Sequence, residues 1–215
     1  GSMRQIAQMD VHTKFEDGLM GIAKDPDFYY NNWIYMYYSP AGEDTVQNLS
    51  RFLLLNDSLI MSSEKIILQV PVQRRECCHT GGSIAFGPDG LLHLSTGDDT
   101  NPFESNGYAP IDERPGRHPF DAQSSSGNTN DLRGKIVRIR VHDDATYSIP
   151  DGNLFPESDS LSRPEIYVMG TRNSYRISVD QKTGWVYWGD VGPDARTNGE
   201  LGTRGYDEVK QAKTA

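Results

Sequence analysis

The chain has 215 residues, a net charge of -9 at pH 7 and a hydrophobic content of 36%, with 21 Gly, 12 Pro and 11 Tyr. This acidity argues against a nucleic-acid partner, because a phosphate backbone demands clustered Lys and Arg to displace its counterions. No apolar run approaches the roughly 18 residues that a membrane-spanning helix requires, and the wealth of turn-forming residues favours short strands over long amphipathic helices.

In chain order, Gly1-Ser2-Met3 reads as a cloning remnant followed by a start residue, so the fold argument covers residues 4–215. Gly21-Ile-Ala-Lys-Asp-Pro-Asp-Phe followed by Trp33-Ile-Tyr-Met-Tyr-Tyr predicts a hairpin, two alternating strands around an Asp/Pro turn. Further strands are expected over Leu49 to Leu55 and Lys65 to Val72. The hairpin recurs as Ser83-Ile-Ala-Phe-Gly-Pro-Asp-Gly with Leu91-Leu-His-Leu-Ser-Thr-Gly-Asp. It recurs again as Arg176-Ile-Ser-Val-Asp-Gln-Lys-Thr-Gly with Trp185-Val-Tyr-Trp-Gly-Asp.

Between the second and third copies lies an aperiodic insertion from about Asn101 to Asp131, rich in Pro, Ser and Gly. It reads as a long structured loop on one rim, ordered by Phe103, Tyr108 and its prolines. Strands over Gly134 to Val141 and Glu165 to Gly170 follow. In the first of these, Arg133, Lys135, Arg138 and Arg140 alternate with Ile136, Val137 and Ile139, which predicts a solvated outer face.

Self-similarity on this scale marks an array architecture. The expected fold is all-β, a β-propeller of four-stranded blades with about three to four blades in these residues; a solenoid of hairpins is the competing architecture. Three blades cannot close a ring. The expectation is therefore a partial propeller whose exposed blade edges favour pairing between copies.

Polar residues gather where the repeat strands begin and end. Cys77-Cys-His-Thr-Gly-Gly precedes the second hairpin, Asp98 and Asp99 end it, Arg172 and Asn173 precede the third, and Gly192 and Pro193 follow it. The segments His79-Thr-Gly-Gly-Ser-Ile-Ala-Phe-Gly-Pro-Asp-Gly, Ser95-Thr-Gly-Asp, Gly134-Lys-Ile-Val-Arg-Ile, Gly152-Asn-Leu-Phe, Pro164-Glu-Ile-Tyr-Val-Met-Gly-Thr-Arg-Asn, Asp190-Val-Gly-Pro and Tyr206-Asp-Glu-Val stand in register. Together they resemble the soluble glucose/sorbosone dehydrogenase family. The resemblance implies a six-bladed propeller that binds pyrroloquinoline quinone (PQQ) with calcium and oxidises an aldose at C1.

Position by position, the resemblance makes His79 the general base, a role suited to imidazole, and Asp98 the carboxylate that orients it. It makes Arg172 and Asn173 the pair that contacts the quinone oxygens, and Gly192 and Pro193 the source of carbonyl ligands for calcium. The residues taken alone leave other roles open. His79 suits a satisfied turn position, Asp98 a cap on the Gly97 turn, and Arg172 an ion pair with Asp190 or Glu165. Asp207 and Glu208 read as an exposed acidic turn more readily than as a second calcium site. Adjacent Cys77 and Cys78 either form a vicinal disulfide packed on the cofactor or remain two reduced thiols.

The chain departs from the family pattern at Val191, where a glutamine is usual, and at Ser174, where a proline is usual. The family's later Lys and Arg residues, which grip the quinone carboxylates, fall beyond residue 215, so these residues alone are expected to bind PQQ poorly. The resemblance also implies export to a secreted, periplasmic or cell-surface location, with a sugar substrate and an unidentified electron acceptor. The alternative is a propeller that keeps the scaffold and binds a carbohydrate or protein without turnover. Signatures of other enzyme classes (Gly-x-Ser-x-Gly, His-Glu-x-x-His, the phosphate-binding loop) are absent from the sequence.

Overall fold

The computed structural model describes residues 3–42, 45–103, 109–200 and 203–214. Three antiparallel sheets follow one another along the chain. The first is a meander of β1 (Leu19–Lys24), β2 (Trp33–Tyr38), β3 (Val46–Leu55) and β4 (Ser58–Pro71). The second orders β5 (Gly81–Phe86), β6 (Leu92–Thr96) and β7 (Lys135–Val141), with β8 (Tyr147–Ser148) and β9 (Ile166–Met169) both paired to β7. The third orders β10 (Ser174–Val179), β11 (Val186–Asp190) and β12 (Glu208–Ala212). The fold is all-β, with the three expected hairpins opening the three sheets.

The sheets pack face to face, and strands such as β2 and β6 are buried on both faces because successive side chains point to opposite sides of a sheet covered on each. From β2, Tyr35 and Tyr37 join Leu49, Leu68 and Val70 to meet Ile84, Leu92, Leu94, Val137 and Ile139 of the second sheet. Ile136 and Tyr167 turn the other way and meet Val179, Val186 and Trp188 of the third. Leu92 and Leu94 are wholly buried, each contributing on the order of 1.5–3 kcal/mol by burial. The remaining face of β2 (Ile34, Met36, Tyr38) is covered by Ala7, Met9 and Val11 of the N-terminal segment. Arg51 ties the first two sheets together, stacking 3.7 Å over the Trp33 ring while donating to the carbonyls of His142 and Asp143.

The hairpin turns run away from the site. In the first, a single helical turn, α1 (Phe28–Asn31), is held by Asp25, whose carboxylate accepts from Asp27 N, Asn31 Nδ2 and the Tyr35 hydroxyl. At the opposite end, β1, β5 and β10 each carry a register shift near their start, between Leu19 and Gly21, Gly81 and Ile84, and Ser174 and Arg176. Bulges of this kind bend a strand and re-aim its side chains. Those of β5 and β10 fall beside His79 and beside Arg172 and Asn173, residues that the sequence marks as functional.

Three features differ from the sequence reading. The basic cluster does not form a solvated face. Lys135 is wholly buried, Arg133 bridges Asp99 and Asp131, Arg138 stacks on Tyr167, and only Arg140 of the four is exposed. The alternation is real, but the insertion folds over the start of β7 and covers it. Within the insertion Phe103 is 53% exposed and Tyr108 lies outside the described residues; Phe120 is buried instead, and Leu132, just past the insertion, joins the core between the first two sheets. Finally, Glu208 belongs to a strand rather than a turn: β12 pairs with β11, Glu208 opposite Asp190.

Candidate active site

The second and third sheets bring the marked residues together through backbone bonds at their shared rim. Asp98 N donates to the Arg172 carbonyl at 2.8 Å, Gly97 bridges to Asn173, and Gly81 N donates to Asn173 Oδ1 at 3.1 Å. Gly97 is required there, because a Cβ would collide with the His79 carbonyl and the Thr80 nitrogen. His79 adopts a φ of 56°, the left-handed region that few side chains occupy without tertiary support. That support comes in part from Asp99 N, which donates to the His79 carbonyl at 3.2 Å.

His79 Nδ1 lies 2.7 Å from Asp98 Oδ1, with both side chains at most 5% exposed. The carboxylate only accepts, so the proton sits on Nδ1 and the lone pair of Nε2 is the basic one. A cavity of about 580 Å³ is lined by His79 and Arg172, by Thr100, Asn101, Pro102, Ala109 and Pro110 from the insertion side, and by Pro193, Asp194, Ala195, Thr197, Gly199 and Thr203. An adjoining cavity of about 390 Å³ is lined by Asp98, Arg172, Gly192 and Pro193 together with Arg204 and Lys210.

Arg172 faces both cavities, and its guanidinium donates to the Val191 carbonyl at 2.9 Å and sits 3.9 Å from Asp194. Its side chain therefore pairs with neither Asp190 nor Glu165. Asp190 accepts from Lys210 at 2.9 Å and Glu165 from Arg163 at 2.7 Å. Gly192 donates to Asp207 at 3.0 Å, and the carbonyl of Pro193 packs onto the backbone of Gly205 so closely that only glycine fits. Cys77 and Cys78 are joined by a disulfide across a cis peptide. Among the described residues, Asn173, Cys77 and Cys78 line neither cavity.

Behind the dyad, Asp99 is buried against Gln73 and Arg133, accepting from Gln73 N at 2.7 Å and Arg133 at 3.0 Å. Burial pushes its carboxyl up to about 7, against the pull of those two donors. Lys135 reaches into the insertion, donating to the carbonyls of Ser125, Ser126 and Arg133 at 2.9, 3.0 and 2.7 Å. Burial lowers its ammonium from 10.5 to about 8. Thr100 and Asp194 also belong to the site, and neither is marked by the sequence motifs. Thr100 directly follows the Asp98-Asp99 pair, the one signal that points to it; Asp194 follows the Gly192-Pro193 pair in the same way.

The glucose/sorbosone dehydrogenase family model matches this chain over residues 1–214. The chain belongs to that family. Among solved structures of similar fold, an oxidoreductase (glucose dehydrogenase) from Thermus thermophilus superimposes with a TM-score of 0.71 at 27% identity, covering 95% of this chain and 52% of that one. The PQQ-bound aldose sugar dehydrogenase of Streptomyces coelicolor shares the fold with a TM-score of 0.62 at 23% identity, covering 95% of this chain and 48% of that one. Human Hedgehog-interacting protein is 23% identical over 193 residues, 83% of this chain and 25% of its own length. The chain thus spans about half of these solved dehydrogenases and a quarter or less of the first curated relatives.

Membership makes these sheets propeller blades, and His79, Asp98 and Arg172 stand at the rim where the hairpins of the second and third blades start and stop. Val191, beside Gly192, is 37% exposed and presents an apolar side chain there. Ser174 begins β10 as a wholly buried residue. No helix among the described residues is long and apolar enough to cross a membrane.

Proposed function

We propose that the full-length protein is a PQQ- and calcium-dependent dehydrogenase that oxidises an aldose at C1, with these blades supplying the base and the cation beside the quinone. The observation that carries this reading is the buried His79–Asp98 pair lining the same cavity as Arg172. The residues present fit the cofactor. The cavity of about 580 Å³ lies within the size range of small-molecule sites.

PQQ, when bound, supplies a two-electron hydride acceptor. His79 Nε2 takes the proton of the substrate hydroxyl, while Asp98 fixes the tautomer and stabilises the imidazolium that results. Arg172 offers a fixed positive charge where negative charge collects. Gly192 and Pro193 would offer calcium backbone carbonyls, and no group of three or more His, Cys, Asp or Glu side chains able to hold a metal occurs among the described residues. Neutral carbonyls alone hold a hard cation weakly, so calcium affinity is expected to rise when the tricarboxylate quinone is bound. The Cys77–Cys78 disulfide supports export to an oxidising compartment.

A second reading, a propeller that binds a carbohydrate or protein without turnover, is favoured by Val191 and by the similarity to Hedgehog-interacting protein. Titration of the full-length protein with PQQ in calcium, followed by tryptophan quenching, separates the two. Saturable binding that is lost in His79→Ala and Arg172→Ala supports the dehydrogenase and directs a screen of aldoses with a dye acceptor. Absence of binding by the full-length protein rejects the quinone enzyme in favour of the binding module.

A further inference from the structure

Three donors converge on one oxygen of Asp98. Oδ1 accepts from His79 Nδ1 at 2.7 Å, from Thr100 N at 2.9 Å and from Thr100 Oγ1 at 2.8 Å. Thr100 Oγ1 also lies 3.5 Å from His79 Nδ1. Nδ1 carries its own proton, so the hydroxyl cannot donate there, and its hydrogen is committed to Asp98. Thr100 is 3% exposed, lines the larger cavity and follows the carboxylate it holds by two residues. Two donors from one residue, both held on that oxygen, oppose rotation of the carboxylate about its own bond. The imidazole, held through Nδ1, is then fixed in turn.

We propose that Thr100 is a positioning residue for the His79–Asp98 pair, its hydroxyl locking the carboxylate so that His79 Nε2 keeps its aim into the cavity. The inference rests on the dehydrogenase reading for its kinetic consequence, and on geometry alone for its effect on the dyad.

Thr100→Val in the full-length protein tests it, because valine keeps the side-chain shape and the backbone N–H bond to Asp98 while deleting the hydroxyl. The first readout needs no cofactor: the low-field proton resonance of His79 Nδ1–H, assigned by its loss in His79→Gln. It is expected to move in Thr100→Val and to return in Thr100→Ser. With PQQ and calcium loaded, kcat is expected to fall about tenfold, the scale of losses on removing groups that orient a working histidine, with KM for the sugar changed less than about twofold. Thr100→Ser should recover most of that rate.

A resonance that stays in place in Thr100→Val overturns the proposal. So does a serine variant as impaired as the valine one, which would assign the effect to methyl packing. A full-length protein with no turnover on any aldose would count against the dehydrogenase reading, while the proton resonance still decides the role of Thr100.

Discussion

Lys135→Met in the full-length protein probes how the insertion is held over the site. Methionine keeps the length of the buried stem but removes all three donors, leaving the carbonyls of Ser125, Ser126 and Arg133 without that partner. Each orphaned buried carbonyl costs about 1–3 kcal/mol. Against this, the wild-type ammonium bears a desolvation cost visible in its lowering from 10.5 to about 8, roughly 3 kcal/mol. The difference leaves a destabilisation of about 3 kcal/mol at pH 7.

The pH dependence has a definite sign. Between about 8 and 10.5 the unfolded lysine binds more protons than the folded one, so wild-type stability rises with pH across that window and this gain is lost as pH falls through 8. The gap between wild type and Lys135→Met should widen by about 2 kcal/mol from pH 8 to pH 10. Urea unfolding of both proteins at pH 7, 8, 9 and 10 measures it. A gap below about 1 kcal/mol at pH 7, or one that stays flat to pH 10, refutes the reasoning.

Two further expectations concern the core and the rim. His93 is buried with Nδ1 unpartnered, and burial together with Arg138 lowers it from 6.5 to about 4. Stability is therefore lost as pH falls from 6.5 through 4, and His93→Phe should shed about 3 kcal/mol of that acid sensitivity; identical acid limbs in urea unfolding would contradict it. Gly97→Ala drives a methyl into the His79 carbonyl. It should cost about 2–3 kcal/mol in thermal unfolding and abolish quinone binding, and a variant of wild-type stability and affinity would show that the contact is not tight.

Strand pairs are legible because period-two alternation and Asp/Pro/Gly turns are local signals, and the three hairpins lie where those signals place them. Lys135 defies the same signals for a physical reason. Alternation tells which residues share a face but not whether a loop distant in sequence covers it, and the covering segment has no periodicity to read. The strand β12 escapes sequence reading because Glu208-Val-Lys-Gln-Ala carries one strongly apolar residue, Val209, and that one is 88% exposed. His79, Asp98 and Arg172 are found through motif resemblance, whereas Thr100 requires distances. A hydroxyl two residues beyond an aspartate is a common turn feature, and only its convergence with His79 on a single oxygen distinguishes it.

The opposed ends of the hairpins also decide where this protein tolerates attachment. The tips at Asn56-Asp57, Pro88–Gly90 and Gln181–Thr183 point away from His79, and both Asn56 and Asp57 already adopt the left-handed backbone of a tight two-residue turn. A thiol placed by Lys182→Cys would stand about 20 Å from the rim, the length of the six-residue β10 at ~3.3 Å per residue. Tethering the protein to an electrode or resin through that tip leaves the cavity lined by His79, Arg172 and Asp194 open to solution.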